Sequence, residues 1–227
     1  MIIVVSLGGS VITPPEHDKL DLVAGAIKKI AKKNMVFVVV GGGKTVKEYI
    51  RIARGFGSNE VCCDLMGIDG TRMNARLLIA ALSGSAYPDP PCSYQDAKKV
   101  MEPGKVIVMG GVSPGYTTDA VAAILSEYVG AGLLIKATSI DGVYDSDPTK
   151  NPNAKKLQKI TPEQLVEIAM KGHMRAGSIS IMDPVGAKII ERCRIRTIVV
   201  DGTDPENIVN AVRENHNGTE VIGKDCS

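Results

Sequence analysis

The chain contains no tryptophan and only two phenylalanines, and aromatic residues make up 4% of it. Platforms for single-stranded nucleic acid depend on exposed aromatic rings, so that class of partner is not expected. Charge of one sign is missing as well: the net charge is +2, and the 23% of charged residues are mixed along the chain. There is no basic stripe to follow a phosphate backbone and no acidic tail. No apolar run approaches the roughly 20 residues that span a membrane. The five cysteines, Cys62, Cys63, Cys92, Cys193 and Cys226, form no Cys-x-x-Cys pair, and an odd count without metal spacing reads as reduced thiols. His17, His173 and His216 are scattered and are expected neither in catalysis nor in metal binding. The opening MIIVVSLGGS has no basic leader region and runs into a glycine turn, which reads as a strand and not a signal peptide. A cytoplasmic location follows as an expectation, with Asn217-Gly218-Thr219 an idle match to a glycosylation sequon.

What is present is regular alternation. Short β-branched apolar runs recur at Ile2–Leu7, Met35–Val40, Lys105–Met109, Leu133–Ala137 and Arg196–Val200, as in parallel strands buried on both faces. Helical patterns lie between them at Asp21–Lys33, Thr71–Leu82, Thr118–Val129 and Asp183–Cys193, with Thr71 read as a possible cap. Pro162 suits the first turn of a further helix through Lys171, capped by Thr161. Tyr87–Glu102 reads as an irregular connection with a short helix from Tyr94. Strand–helix alternation with short turns implies a doubly wound α/β sheet. A length of 227 residues then suits a single domain, 1–227, with two lobes.

Three strands end in glycine pairs: Gly8-Gly9, Gly41-Gly42-Gly43 and Gly110-Gly111. In VFVVVGGGKTVKEYI, a P-loop would need glycine at Val38 and a dinucleotide fingerprint would need it at Val46, so neither template fits. Any one such turn also serves simply to reverse the chain. Three on parallel strands would share the carboxyl edge of the sheet, where ligands bind. There glycine lets backbone N–H groups approach phosphates, and helix N-termini, the first from Thr45, add positive charge. Lys44 and Lys47 stand one turn apart at the start of the next helix, suited to neutralise a transferred phosphoryl group. Alternatively, Lys47, Glu48 and Arg51 form an ordinary solvated surface. In LLIKATSIDGVYDSDP, Asp141, Tyr144, Asp145 and Asp147 suit an adenine ring, ribose hydroxyls and Mg²⁺, or else only packing and turn formation.

Taken in order, the Gly-Gly-Ser turn, the Gly-Gly-Gly turn, Pro-Gly-x-Thr-Thr-Asp-Ala and Asp-Gly-Val-Tyr-x-x-Asp-Pro resemble the amino-acid kinase superfamily, and within it the uridylate (UMP) kinases of archaeal type. The resemblance runs from residue 2 to about Gly223. It implies a three-layer α/β/α sandwich with a mostly parallel sheet, usually assembled as a homohexamer. It also implies transfer of the ATP γ-phosphate to UMP with Mg²⁺, in pyrimidine nucleotide biosynthesis. The N-terminal part would bind the acceptor and the C-terminal part ATP. By position, the resemblance implies that Gly42, Asp64, Val112, Ser113, Pro114, Gly115, Tyr116, Thr117 and Thr118 hold UMP. Gly9, Ser10, Gly43, Lys47, Thr138, Tyr144 and Asp147 would hold ATP. Lys47, Lys44 and Asp119 would be catalytic, Asp119 as an acid that organises lysines.

There is one departure. Many members carry a lysine just ahead of the first glycine turn, where this chain has Ser6. Lys47 with Lys44, the bound Mg²⁺ or Lys136 would have to supply that charge. No general base is expected, because a UMP phosphate oxygen is already ionised at neutral pH. Rival readings are a same-fold kinase for another small acceptor and a non-catalytic oxyanion-binding protein. An isopentenyl phosphate kinase would show a histidine after the Gly-Gly-Gly turn, and none occurs between His17 and His173. An aspartokinase would carry a regulatory extension.

Overall fold

The computed structural model describes residues 1–146, 148, 151–173 and 181–223. The first half runs β1 (Ile2–Leu7), α1 (Gly9–Ile12), α2 (His17–Ala31), β2 (Met35–Val40), α3 (Gly43–Gly55), α4 (Glu60–Leu82), α5 (Tyr94–Lys99) and β3 (Ile107–Met109). Then come α6 (Thr118–Val129), β4 (Leu133–Thr138), β5 (Val143–Tyr144), β6 (Lys156–Leu157), β7 (Lys159–Ile160) and α7 (Pro162–His173). The chain closes with α8 (Pro184–Cys193), β8 (Thr197–Asp201), α9 (Glu206–Val212) and β9 (Thr219–Val221).

Seven strands form one sheet in the order β3-β2-β1-β4-β8-β9-β7, and β5 pairs with β6 separately. All neighbours in the large sheet are parallel except β8 and β9. Strand periodicity sorts the β-branched residues onto two faces. Ile3, Val5 and Leu7 of β1 join Val23 and Ile27 of α2, Leu78 of α4 and Ile208 of α9 in one core. Val4 of β1, Phe37 of β2 and Leu134 of β4 join Val121 and Leu125 of α6, Leu165 of α7 and Ile190 of α8 in the other. Because both faces are covered, the strands are mostly apolar, with Ser6 of β1 and Lys136 of β4 among the buried exceptions. The result is the three-layer α/β/α sandwich expected.

Cap chemistry fixes the later helices. Thr117 accepts the Ala120 N–H at the start of α6. Asp183 accepts from Val185 and Gly186 at α8, with Pro184 in the first turn. Thr161 and Gln164 form a reciprocal box at α7, each side chain accepting from the other's backbone N–H.

Three expectations need correction. Thr71 is not a cap: α4 begins eleven residues earlier, after Asn59, whose side chain accepts the Cys62 N–H at 2.9 Å. Gly67 and Gly70, inside this longer helix, let α4 approach α3. A Cβ on Gly70 would meet Val46 of α3 at 2.5 Å, and one on Gly67 would meet Ile50 at 3.2 Å. The run from Lys105 also yields less strand than expected, since Val106 only bridges Ala86 and the ladder starts at Ile107. Finally, α3 starts at Gly43, ahead of the Thr45 expected.

Candidate active site

Because β3, β2 and β1 are adjacent and parallel, their three glycine turns open on one edge. The first two turns interlock. Gly41 donates its N–H to Leu7 at 2.9 Å, and Gly8 donates to Ala137 at 2.8 Å. A Cβ on Gly9 would fall inside the Gly43 main chain, and one on Gly41 would lie 2.6 Å from the Gly9 nitrogen. Gly43 has φ +67°, where a side chain would also collide with Thr13, so glycine is required on steric and conformational grounds. Asn74 of α4 donates to the carbonyls of Gly41 and Gly42 at 2.9 and 3.2 Å, clamping the second turn from below. Nothing in the sequence pattern singled out Asn74.

The third turn is held by the residue misread as a cap. Thr71 accepts the Gly111 N–H at 2.7 Å while donating to the Ile68 carbonyl at 2.7 Å. A Cβ on Gly110 would lie 2.5 Å from that same hydroxyl.

Between these turns lies a cavity of about 340 Å³. Of the residues expected at the acceptor, Gly42, Asp64, Ser113, Gly115, Tyr116, Thr117 and Thr118 line it; so do Gly43 and Lys47 from the expected ATP set. Val46, Ile50, Gly67, Ile68 and Thr71 complete an apolar floor that the motifs did not mark. Val112 and Pro114 are not part of the lining, and Val112 packs against the core of the α6 face. Asp64 accepts the Gly115 N–H at 2.8 Å, tying α4 to the loop before α6. Thr117 caps α6 and also donates to Asp183, so α8 is anchored to the cavity wall. Behind the wall, the hydroxyl of Tyr94 is buried without a hydrogen-bond partner among the described residues. Burial and the neighbouring Tyr116 push it up to about 12.

Charge at the edge is asymmetric. The N-cap of α3 is Gly42, which makes no side-chain cap hydrogen bond, and this leaves the first N–H groups and the helix dipole available to an anion. Glu48 and Arg51 pair with each other, at 2.5 and 2.9 Å. Lys47 has no ion-pair partner among the described residues and faces the cavity, whereas Lys44 is exposed outside it. Asp119, in the first turn of α6, receives the Ser6 hydroxyl at 2.8 Å and an ion pair from Lys136.

The remaining expected ATP residues sit along the same edge or beyond it. Gly9 and Ser10 open α1. Thr138 ends β4, against Gly8, and accepts the Gly202 N–H at 2.7 Å. Tyr144 donates to Asp141 at 2.8 Å, and Lys156 pairs with the other oxygen of Asp141 at 2.8 Å. Burial raises the Asp141 carboxyl, but the hydrogen bonds from Lys156 and Tyr144 outweigh it and hold the group below its usual range. The same carboxylate pushes the Tyr144 hydroxyl upward. Asp147 lies outside the described residues.

Known proteins share this architecture over nearly its whole length. A sequence model described as the amino acid kinase family matches residues 1–201. A uridylate kinase of Methanococcoides burtonii is 50% identical over 225 residues, covering 98% of this chain and 95% of that protein. Another from Thermococcus gammatolerans is 48% identical, covering 97% of this chain and 99% of its own. The crystal structure of uridylate kinase from Archaeoglobus fulgidus superposes with a TM-score of 0.90 at 45% identity, over 97% of this chain and all of that one. On fold, site geometry and sequence together, this chain belongs to the amino acid kinase family.

Proposed function

We infer that the protein is a nucleoside monophosphate kinase that transfers the γ-phosphate of ATP to UMP, giving UDP and ADP. The observation that carries this is the seam of the first two glycine turns at the uncapped N-terminus of α3, with Lys47 and the 113–118 loop around one cavity. The names of the relatives that match it along almost their whole length support the same substrate.

In the reaction, an acceptor phosphate oxygen bonds to the γ-phosphorus while the bond to the β–γ bridging oxygen breaks. The negative charge lies mainly on three equatorial oxygens, so positioning and fixed positive charge do most of the catalysis. Gly42, Asp64, Ser113, Gly115, Tyr116, Thr117 and Thr118 would hold UMP in the cavity. Backbone N–H groups at Gly9, Ser10 and Gly43 would hold the ATP phosphates, and Thr138 and Tyr144 the adenosine half. Lys47 would follow the transferring group. Mg²⁺ enters as part of the MgATP substrate, held by its phosphate oxygens. No residue is needed to remove a proton, since the acceptor phosphate is ionised above its second pKa of about 6.

The whole chain is proposed to act as one domain, acceptor towards its N-terminal part and ATP towards its C-terminal part. A cytoplasmic homohexamer fits this reading. Large side chains stay exposed along α3 (Tyr49, Ile52), at its C-cap Phe56 and along α4 (Val61, Leu65, Met73), and among the described residues no helix is long and apolar enough to cross a membrane. Coupled ADP release measured with UMP, CMP, AMP, carbamate and isopentenyl phosphate tests the function. UMP is expected to be the preferred acceptor. Absence of turnover with every acceptor would sink the kinase reading, and preference for another acceptor would replace UMP.

A further inference from the structure

The fourth residue of β4 is anomalous. The strand reads LLIKAT, its first five positions are buried, and the fourth is Lys136. Its side chain is 8% exposed, and the carboxylate that receives it, Asp119, is 14% exposed. Taking two charges out of water costs several kcal/mol per ion, and a well-packed apolar pair usually serves stability at least as well. Stability alone therefore does not explain a lysine in the middle layer of a parallel sheet.

Its location suggests a purpose. Lys136 is the register partner of Ser6 on β1, and that serine donates to the same oxygen of Asp119 at 2.8 Å. Both side chains lie on the α6 face of the sheet, in step with Val4 and Leu134. One residue further on, the carbonyl of Ala137 accepts the N–H of Gly8, the first residue of the first glycine turn. Two residues before Asp119, Thr117 lines the cavity. The Lys136 ammonium is thus fixed at the carboxyl edge, between the two features assigned to donor and acceptor phosphates.

We propose that Lys136 supplies, from β4, the fixed positive charge that offsets charge building on the transferring phosphoryl group, with Asp119 and Ser6 holding it in place. The inference rests on the kinase reading. Nucleotide phosphates arriving at the edge compete with Asp119 for the ammonium, and Asp119 keeps it oriented when they leave. A buried, pre-oriented cation needs no reorganisation during the reaction, the condition under which such charges count most.

Kinetics of the full chain with ATP and UMP test this, with circular dichroism melting run beside them. Lys136→Met is expected to lower kcat at least about 100-fold with both KM values within about threefold. Asp119→Asn and Lys136→Met/Asp119→Asn distinguish catalysis from mere pairing, since both remove the buried carboxylate. The double variant is expected to fall at least about tenfold below Asp119→Asn in kcat; equality of the two overturns the proposal. Ser6→Lys/Lys136→Met returns the ammonium on the neighbouring strand and is expected to recover most of the lost kcat. It decides the question if the neutral pair does not fold: a folded Ser6→Lys/Lys136→Met no faster than Lys136→Met refutes the role. Wild-type chain inert towards every acceptor would remove the kinase reading itself, whereas active wild type with equally active Lys136→Met removes only this inference.

Discussion

Lys44 and Lys47 look interchangeable in GGGKTVKEYI, and their positions against the cavity separate them. Three residues leave them only about 60° apart around the helix, but one turn apart along it, and the cavity is lined by Val46, Lys47 and Ile50, with Lys44 outside it. Glu48 is occupied by Arg51, so the Lys47 ammonium is left for a ligand. Lys47→Ala is expected to lower kcat/KM about 100- to 1000-fold and to leave the melting temperature nearly unchanged, because the side chain is exposed. Lys44→Ala should stay within a few-fold of wild type in the same assay. Comparable losses for both would mean that the exposed lysine also reaches the phosphates. The sequence could rank these two lysines only through motif position. It could not show that Ser6, Asp119 and Lys136, separated along the chain by 113 and 17 residues, meet at one point, because that meeting depends on strand order.

Elements were legible wherever period and caps agreed. The β-branched runs became strands, and Asp183-Pro184 and Thr161-Pro162 marked helix starts within a residue. The failure at α4 has a physical cause: Gly67-Ile68-Asp69-Gly70 has the composition of a turn, yet tertiary packing keeps it helical. The two glycines are sites of contact with α3. Short elements such as α1, β5, β6 and β7 have too few residues for any period to show. Helical glycines therefore differ by what faces them, and two substitutions should change stability in opposite directions. Gly70→Ala pushes a methyl into Val46 and is expected to destabilise by about 1–3 kcal/mol, as overpacking does. Gly25→Ala on α2 meets nothing within 4 Å and should stabilise by up to about 1 kcal/mol through helix propensity. Urea unfolding of the pair measures both. A destabilised Gly25→Ala together with a neutral Gly70→Ala would contradict the packing drawn here.

At the scale of the molecule, α3 with its C-cap Phe56 and α4 carry both a wall of the cavity and a group of exposed apolar side chains. Phe56 alone is 87% exposed, a poor state for an aromatic ring in a lone monomer. Light scattering should give a mass several times 24.0 kDa, about sixfold for the hexamer proposed. Phe56→Ser/Leu65→Ser should reduce that mass if these helices form the contact; a wild-type monomer would refute the assembly. The sheet order explains why both glycine turns could be read from sequence while their contact could not: β1 and β2 are neighbours, but only folding brings Gly9 against Gly43. That contact has a practical consequence for redesign. With no volume for even a methyl group on either side, the first and second glycine turns cannot be varied independently. A library aimed at a new acceptor has its freedom on α4 and in the 113–118 loop. Diversity placed at Gly9 or Gly43 would yield unfolded protein before it yielded a new specificity.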